Sequence, residues 1–175
     1  MGKLILCCSL LALIALTEII PSRASILTLK RPRRLDYYLH DNLTLGNSTT
    51  VLVASTSATG GSAGFGDLRV FNSPLRATPD RNSTLIGAAT GTLADTSFLE
   101  PNVFYISFTH LINMTSCVGT ISAQGRVTPA APTWQVSITG GTGSLVGARG
   151  YADVVAFSLT DPTDTVFRYT VYLSF

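Results

Sequence analysis

Two side chains stand where chemistry could happen: Asp41, which closes the stretch Tyr37-Tyr38-Leu39-His40-Asp41, and Arg149, inside GGTGSLVGARGYADV (residues 140–154). Along a strand, successive side chains point to opposite faces. Leu35, Tyr37, Leu39 and Asp41 therefore share one face, and Asp36, Tyr38 and His40 the other. The apolar row is expected to turn inward, leaving Asp41 at its inner end. A carboxylate there either accepts hydrogen bonds at the rim of the fold or exchanges protons in a pocket. The glycine-rich stretch admits three readings: a phosphate cradle, a tight turn into a strand, or a support that places Arg149 in a pocket. The phosphate reading fails. Gly141, Gly143 and Gly147 read G-x-G-x-x-x-G, with Val146 where a dinucleotide fingerprint needs its last glycine. No Gly-Lys-Ser/Thr follows, and the loop leads to a strand, so no helix N-terminus faces a phosphate.

Other chemistry finds little footing. Beyond the expected leader, His40, His110 and Cys117 are isolated, with no C-x-x-C or H-E-x-x-H spacing, so neither a metal nor another cofactor is expected. There is no G-x-S-x-G elbow and no recognisable nucleophile–base pair. Nothing marks a glycosidase pair among the acids. With 12 Lys and Arg against 10 Asp and Glu, the net charge is +2, too small for a general field that would gather nucleic acid or anionic lipid. The run Lys30-Arg31-Pro32-Arg33-Arg34 reads as a solvated arm, or as a contact to a cell-wall polyanion.

The elements that must position Asp41 and Arg149 read as strands throughout. Short runs rich in Val, Ile, Thr, Phe and Tyr fall at 35–41, 50–57, 67–71, 85–93, 103–111, 118–126, 134–139, 149–159 and 166–173. Gly60-Gly61, Asn72-Ser73-Pro74, Thr78-Pro79-Asp80, 129–132 and Asp161-Pro162 punctuate them, and no helical period is sustained. The pattern predicts an all-β antiparallel sandwich or barrel; closure into a barrel removes exposed edges, and eight strands leave an interior either filled or able to hold one small ligand. In 166–173, Phe167, Tyr169, Val171 and Leu173 form one apolar row. In 103–111, Phe104, Ile106 and Phe108 share one face and Val103, Tyr105 and Leu111 the other; an outer face that is also apolar suggests contact with another subunit.

Residues 1–24 read as a secretory signal peptide: Lys3, the uncharged run LILCCSLLALIALT, then Ser22-Arg23-Ala24. Glu18 and Pro21 interrupt the apolar run too early for a spanning anchor. Residues 25–175 then form one domain, opened by a flexible basic arm at 25–34, with no membrane segment after cleavage. Cys7 and Cys8 leave with the leader, so Cys117 is alone, as a buried apolar residue or a partner between chains. Sequons at Asn42, Asn47, Asn82 and Asn113 agree with a secreted, glycosylated chain.

Several stretches, in order, are similar to one family. They are Tyr38-Leu39-His40-Asp41, Phe65-Gly66 ahead of a strand reaching Pro74-Leu75, Ile86-Gly87-Ala88-Ala89-Thr90-Gly91, and FYISF at 104–108 with Gly119-Thr120. The most specific is Gly140-Gly141-Thr142-Gly143 leading to Ala148-Arg149-Gly150-Tyr151-Ala152. Together they resemble the plant dirigent proteins. The resemblance implies an eight-stranded antiparallel β-barrel of the dirigent and allene-oxide-cyclase-like kind, secreted to the apoplast or cell wall and assembled as a homo-oligomer, a trimer or dimer. It also implies a protein that oxidises nothing itself. A separate laccase or peroxidase supplies phenoxy radicals from a monolignol such as coniferyl alcohol, and the dirigent protein directs their coupling to one stereoisomer of a lignan. Asp41 and Arg149 match family positions implicated in the ensuing ring closure, as acid or base and as the group that orients the phenolic oxygen. Two other roles remain open: a cyclase or isomerase acting on a quinone-methide-like intermediate, and a non-catalytic, defence-related wall protein. The chain departs from the lignan-forming pattern at Asn72-Ser73-Pro74-Leu75-Arg76, at Ser144, and at 91–97, which lacks the tyrosine those members often carry.

Overall fold

The computed structural model describes residues 31, 33–44, 46–56, 64–100, 103–128, 131–159, 161 and 163–175. The expected signal peptide, most of the basic arm and the Gly60-Gly61 turn lie outside them. All nine expected strands form: β1 (Arg34–Asp41), β2 (Thr50–Ala54), β3 (Leu68–Arg76), β4 (Leu85–Asp95), β5 (Phe104–Met114), β6 (Cys117–Val127), β7 (Thr133–Gly141), β8 (Arg149–Ser158) and β9 (Thr165–Ser174). Among the described residues the one helical element is a 3-10 turn, Gly143–Leu145.

The strands run β1-β9-β8-β7-β6-β5-β4-β3, and β1 returns to β3 through Tyr38↔Arg76 and Leu39↔Leu75. That closes an eight-stranded antiparallel barrel, as expected. β2 lies outside the ring and pairs with the first half of β3, from Thr50↔Phe71 to Ala54↔Leu68. The edge of β3 is thus divided between β2 and β1.

This division explains where the sequence expectation for β3 was too short. Asn72-Ser73-Pro74 reads as a turn, yet it continues the strand, with Pro74 opposite Ala88 of β4. The backbone N–H of Asn72 points to the other edge, where it donates to Thr49 O at 2.8 Å. The nitrogen of Pro74, two residues on, faces that same edge, in the gap between the β2 and β1 ladders. A proline is tolerated at such a point because no ladder hydrogen bond is lost.

Period-two alternation holds inside the ring. Leu35, Tyr37 and Leu39 of β1, Phe104, Phe108 and Ile112 of β5, and Tyr169, Val171 and Leu173 of β9 are all buried. Each such side chain contributes about 1.5–3 kcal/mol when fully withdrawn from water. On the outer face of β5, Tyr105 and Leu111 stay exposed as expected, whereas Val103 is buried just ahead of the strand. Cys117 is fully buried and unpaired, and fills core space.

The glycine-rich stretch serves the backbone. Gly143 opens the 3-10 turn at φ +61°, and Gly150 enters β8 at φ +141°, with any Cβ on it only 2.0 Å from the Tyr172 carbonyl oxygen of β9. Gly150→Ala should therefore lose about 2 kcal/mol or more of folding stability, read as a lowered urea midpoint with unchanged m-value.

Candidate functional site

The barrel is filled at one end and hollow at the other. The hollow end is where β1 and β9 meet at Asp41↔Thr165 and where β2 flanks the ring. It holds a cavity of about 1000 Å³, within the size range of small-molecule sites. Its wall is largely apolar and includes Phe71, Phe104, Trp134, Phe167 and Tyr169, with Trp134 and Phe167 edge to face at 5.9 Å. Leu93 also faces it, from the 91–97 segment that lacks a tyrosine.

Asp41 is in the cavity wall, where the alternation of β1 points it. Its carboxylate is a hub. Oδ1 accepts from the hydroxyls of Thr49, Thr50 (3.0 Å) and Ser73 (3.0 Å), and Oδ2 accepts from Thr50 (3.0 Å). It accepts these hydrogen bonds from a position in the cavity wall. Its neighbour His40 faces the other way. Buried on the outside of the ring, its Nδ1 lies 3.0 Å from Asp164 Oδ1 and its Nε2 3.2 Å from Thr78 O, so it ties two loops together.

Arg149 is not in the cavity. It shares the outward face of β8 with Tyr151 and Asp153, while Ala152 and Val154 point in. It pairs with Ser174, at the far end of β9 from Thr165, about 30 Å along the strand. Its guanidinium is exposed and donates to the Ala148 carbonyl at 2.9 Å. Asp41 and Arg149 are therefore at opposite ends of the barrel. The alternation of 149–154 already carried this signal, since Ala152 and Val154 form the apolar row.

The guanidinium in the cavity wall belongs to Arg69 of β3, on one inward row with Phe71 and Ser73. The same alternation could have found it, because Arg69 and Phe71 share parity in the expected strand 67–71.

The dirigent-like protein family model matches residues 33–174. The chain belongs to the dirigent family. Dirigent protein 15 of Arabidopsis thaliana is 33% identical over 150 residues, covering 79% of this chain and 78% of its own length. Pterocarpan synthase 1 of Glycine max is 27% identical over 143 residues, covering 80% and 77%. The solved structure of the pterocarpan synthase dirigent protein GePTS1 matches with a TM-score of 0.71 at 28% identity, over 80% of this chain and 82% of that one.

Beneath the cavity, this dirigent barrel has a buried polar floor. Tyr37 stacks on Tyr169 at 5.7 Å, and its hydroxyl lies 2.8 Å from His110 Nδ1. His110 stacks on Phe108 at 4.1 Å, while its Nε2 is buried without a hydrogen-bond partner. Burial raises the phenol pKa of Tyr37 and of Tyr169, the latter also through the Asp41 charge, so both hydroxyls keep their protons. Burial lowers His110 to about 3 from 6.5. Among the described residues no group of three His, Cys, Asp or Glu side chains could hold a metal ion.

The floor makes stability depend on acid. Below pH 6.5 the unfolded chain binds a proton at His110 that the folded chain refuses until about pH 3. Stability is complete above pH 6.5 and falls through that window, by up to about 1.4 kcal/mol per pH unit. A Tyr37→Phe/His110→Phe double variant should flatten this part of the curve, checked by urea denaturation at pH 7 and pH 4.5.

Proposed function

We propose that the chain is a secreted, non-oxidising dirigent protein that holds phenolic coupling intermediates in its barrel and decides the stereochemistry of the bond they form. The observation that carries this reading is the apolar cavity of about 1000 Å³, with aromatic rings and the Asp41 carboxylate in its wall. Radical coupling has little barrier to lower, so shape matters more than a nucleophile. A 99:1 preference between enantiomers needs only about 2.7 kcal/mol of differential stabilisation. Stacking on Trp134, Phe167 and Phe104, with one directional polar group, is enough to supply it.

The radicals come from a separate laccase or peroxidase acting on a monolignol of the coniferyl type. The coupled bis-quinone methide then closes its rings without further redox change. The side-chain hydroxyl oxygen attacks the methide carbon, a C–O bond forms, and a π electron pair moves through the ring onto the former carbonyl oxygen. The hydroxyl proton passes to Asp41, which already accepts hydrogen bonds from hydroxyls.

A second reading has specific support. Leu93 lines the cavity from the segment 91–97, which lacks the tyrosine that lignan-forming members often carry, and the similar proteins include pterocarpan synthases. On that reading the cavity is the site of a cyclase that takes a preformed quinone methide and needs no oxidase beside it. Both readings suit an apoplastic glycoprotein: Asn47, Asn82 and Asn113 are exposed and Asn42 is half-buried. The exposed Tyr105 and Leu111 on one outer face of β5 suit assembly with further copies of the chain.

Coniferyl alcohol and a one-electron oxidant, with and without the protein, should shift from racemic to enriched lignan on chiral chromatography. Asp41→Asn should lower the enrichment at least tenfold in enantiomeric ratio, while Arg149→Ala retains it. Racemic product throughout, with turnover of a preformed quinone methide, establishes the cyclase instead.

A further inference from the structure

The cavity wall contains a charged group that the ring closure above leaves unused. Arg69 lines the cavity from the inward row of β3. Its Nη1 is sealed from solvent without any hydrogen-bond partner. Neither Asp67, just ahead of β3, nor Asp41, at the end of β1, makes an ion pair with it. Asp67 accepts the backbone N–H groups of Thr56 at 3.1 Å and Gly64 at 3.0 Å; the Ser55 hydroxyl is the main cause that holds it below the usual carboxylate range, and the Arg69 charge adds a smaller attraction without an ion-pair contact. Asp41 is anchored on Ser73, too far along the row to pair with Arg69. The third titratable wall group, Tyr169, keeps its proton. A guanidinium cannot release its charge by losing a proton, and an unmet donor beside an apolar cavity is unfavourable. What fits this position is an acceptor that arrives with the ligand.

We propose that Arg69 forms an oxyanion subsite of the cavity, which receives the ring oxygen of a phenol or quinone methide and stabilises it as the phenolate. This rests on the reading of the cavity as a phenolic site and adds a polarity to it. Asp41 is anchored on Ser73, and Arg69 stands four residues earlier on the same row, about 13 Å along the strand. A ligand lying along β3 puts its hydroxyl-bearing tail at Asp41 and its ring oxygen at Arg69. During ring closure the hydroxyl proton moves to one end of the cavity and the displaced electron pair to the other. Fixed charge at the point where an oxyanion develops needs no reorganisation as it forms.

The probe is 4-hydroxy-3-methoxycinnamaldehyde, whose phenolate absorbs at longer wavelength than its phenol. Bound to the wild-type protein, it should ionise at least one pH unit below the free compound. Arg69→Gln should abolish that shift and Arg69→Lys should keep part of it, with thermal melts confirming that each variant folds. In the wild type alone, the O-methylated aldehyde, which cannot ionise, should bind at least tenfold more weakly at pH 8.5. Binding of the phenol with an ionisation that Arg69→Gln leaves unchanged, or equal binding of the two aldehydes, overturns the subsite while leaving the cavity a phenolic site. Failure of the wild-type protein to bind either aldehyde overturns the phenolic reading itself.

Discussion

The organisation of this barrel depends on how the edge of β3 is shared. β1 holds the second half of that edge and β2 the first, and the chain passes between them around a single carboxylate, Asp41. Hydroxyls from the connecting loop (Thr49), from β2 (Thr50) and from β3 (Ser73) all donate to it. Hydrogen bonds to an ionised acceptor are among the stronger ones a fold can make. This one cluster ties the connecting loop, β2 and β3 to the end of β1, and the same carboxylate is part of the cavity wall.

The barrel is consequently asymmetric along its axis. Large apolar residues from β1, β5 and β9 fill one end, and Phe71 of β3, Phe104 of β5, Trp134 of β7 and Phe167 of β9 face an empty volume at the other. The Tyr37–His110–Tyr169 floor separates the two. Its aromatic contacts are close, and its hydroxyl–imidazole bond satisfies polar atoms that would otherwise be orphaned in the core. A packed floor beneath a hollow top is what the orienting role proposed above requires, because holding reactants in one geometry needs walls that do not yield.

Much of this is legible in the sequence alone. Short β-branched and aromatic runs separated by turn residues mark all nine strands of the described residues, because alternation and turn chemistry are local properties. Parity along β1 correctly sent Asp41 inward and left His40 outside. Pro74 misled, since a proline reads as a break until the neighbouring strands are known to leave its edge unpaired. Arg149 misled for another reason. Its motif suggested a pocket, while the alternation through Tyr151 and Ala152 pointed it outward.

The sequence by itself determined which residues share a face, because that follows from the pleat of each strand alone. It also carried enough of the dirigent pattern, from residue 33 to 174, to settle the family. Only the tertiary structure decided which faces meet around one void. That depends on register and on which strand ends lie together, both set by pairings between residues far apart in the chain, such as Asp41 with Thr165 and Arg149 with Ser174. Those pairings put one arginine outside, at the closed end, and brought Arg69 into the cavity wall.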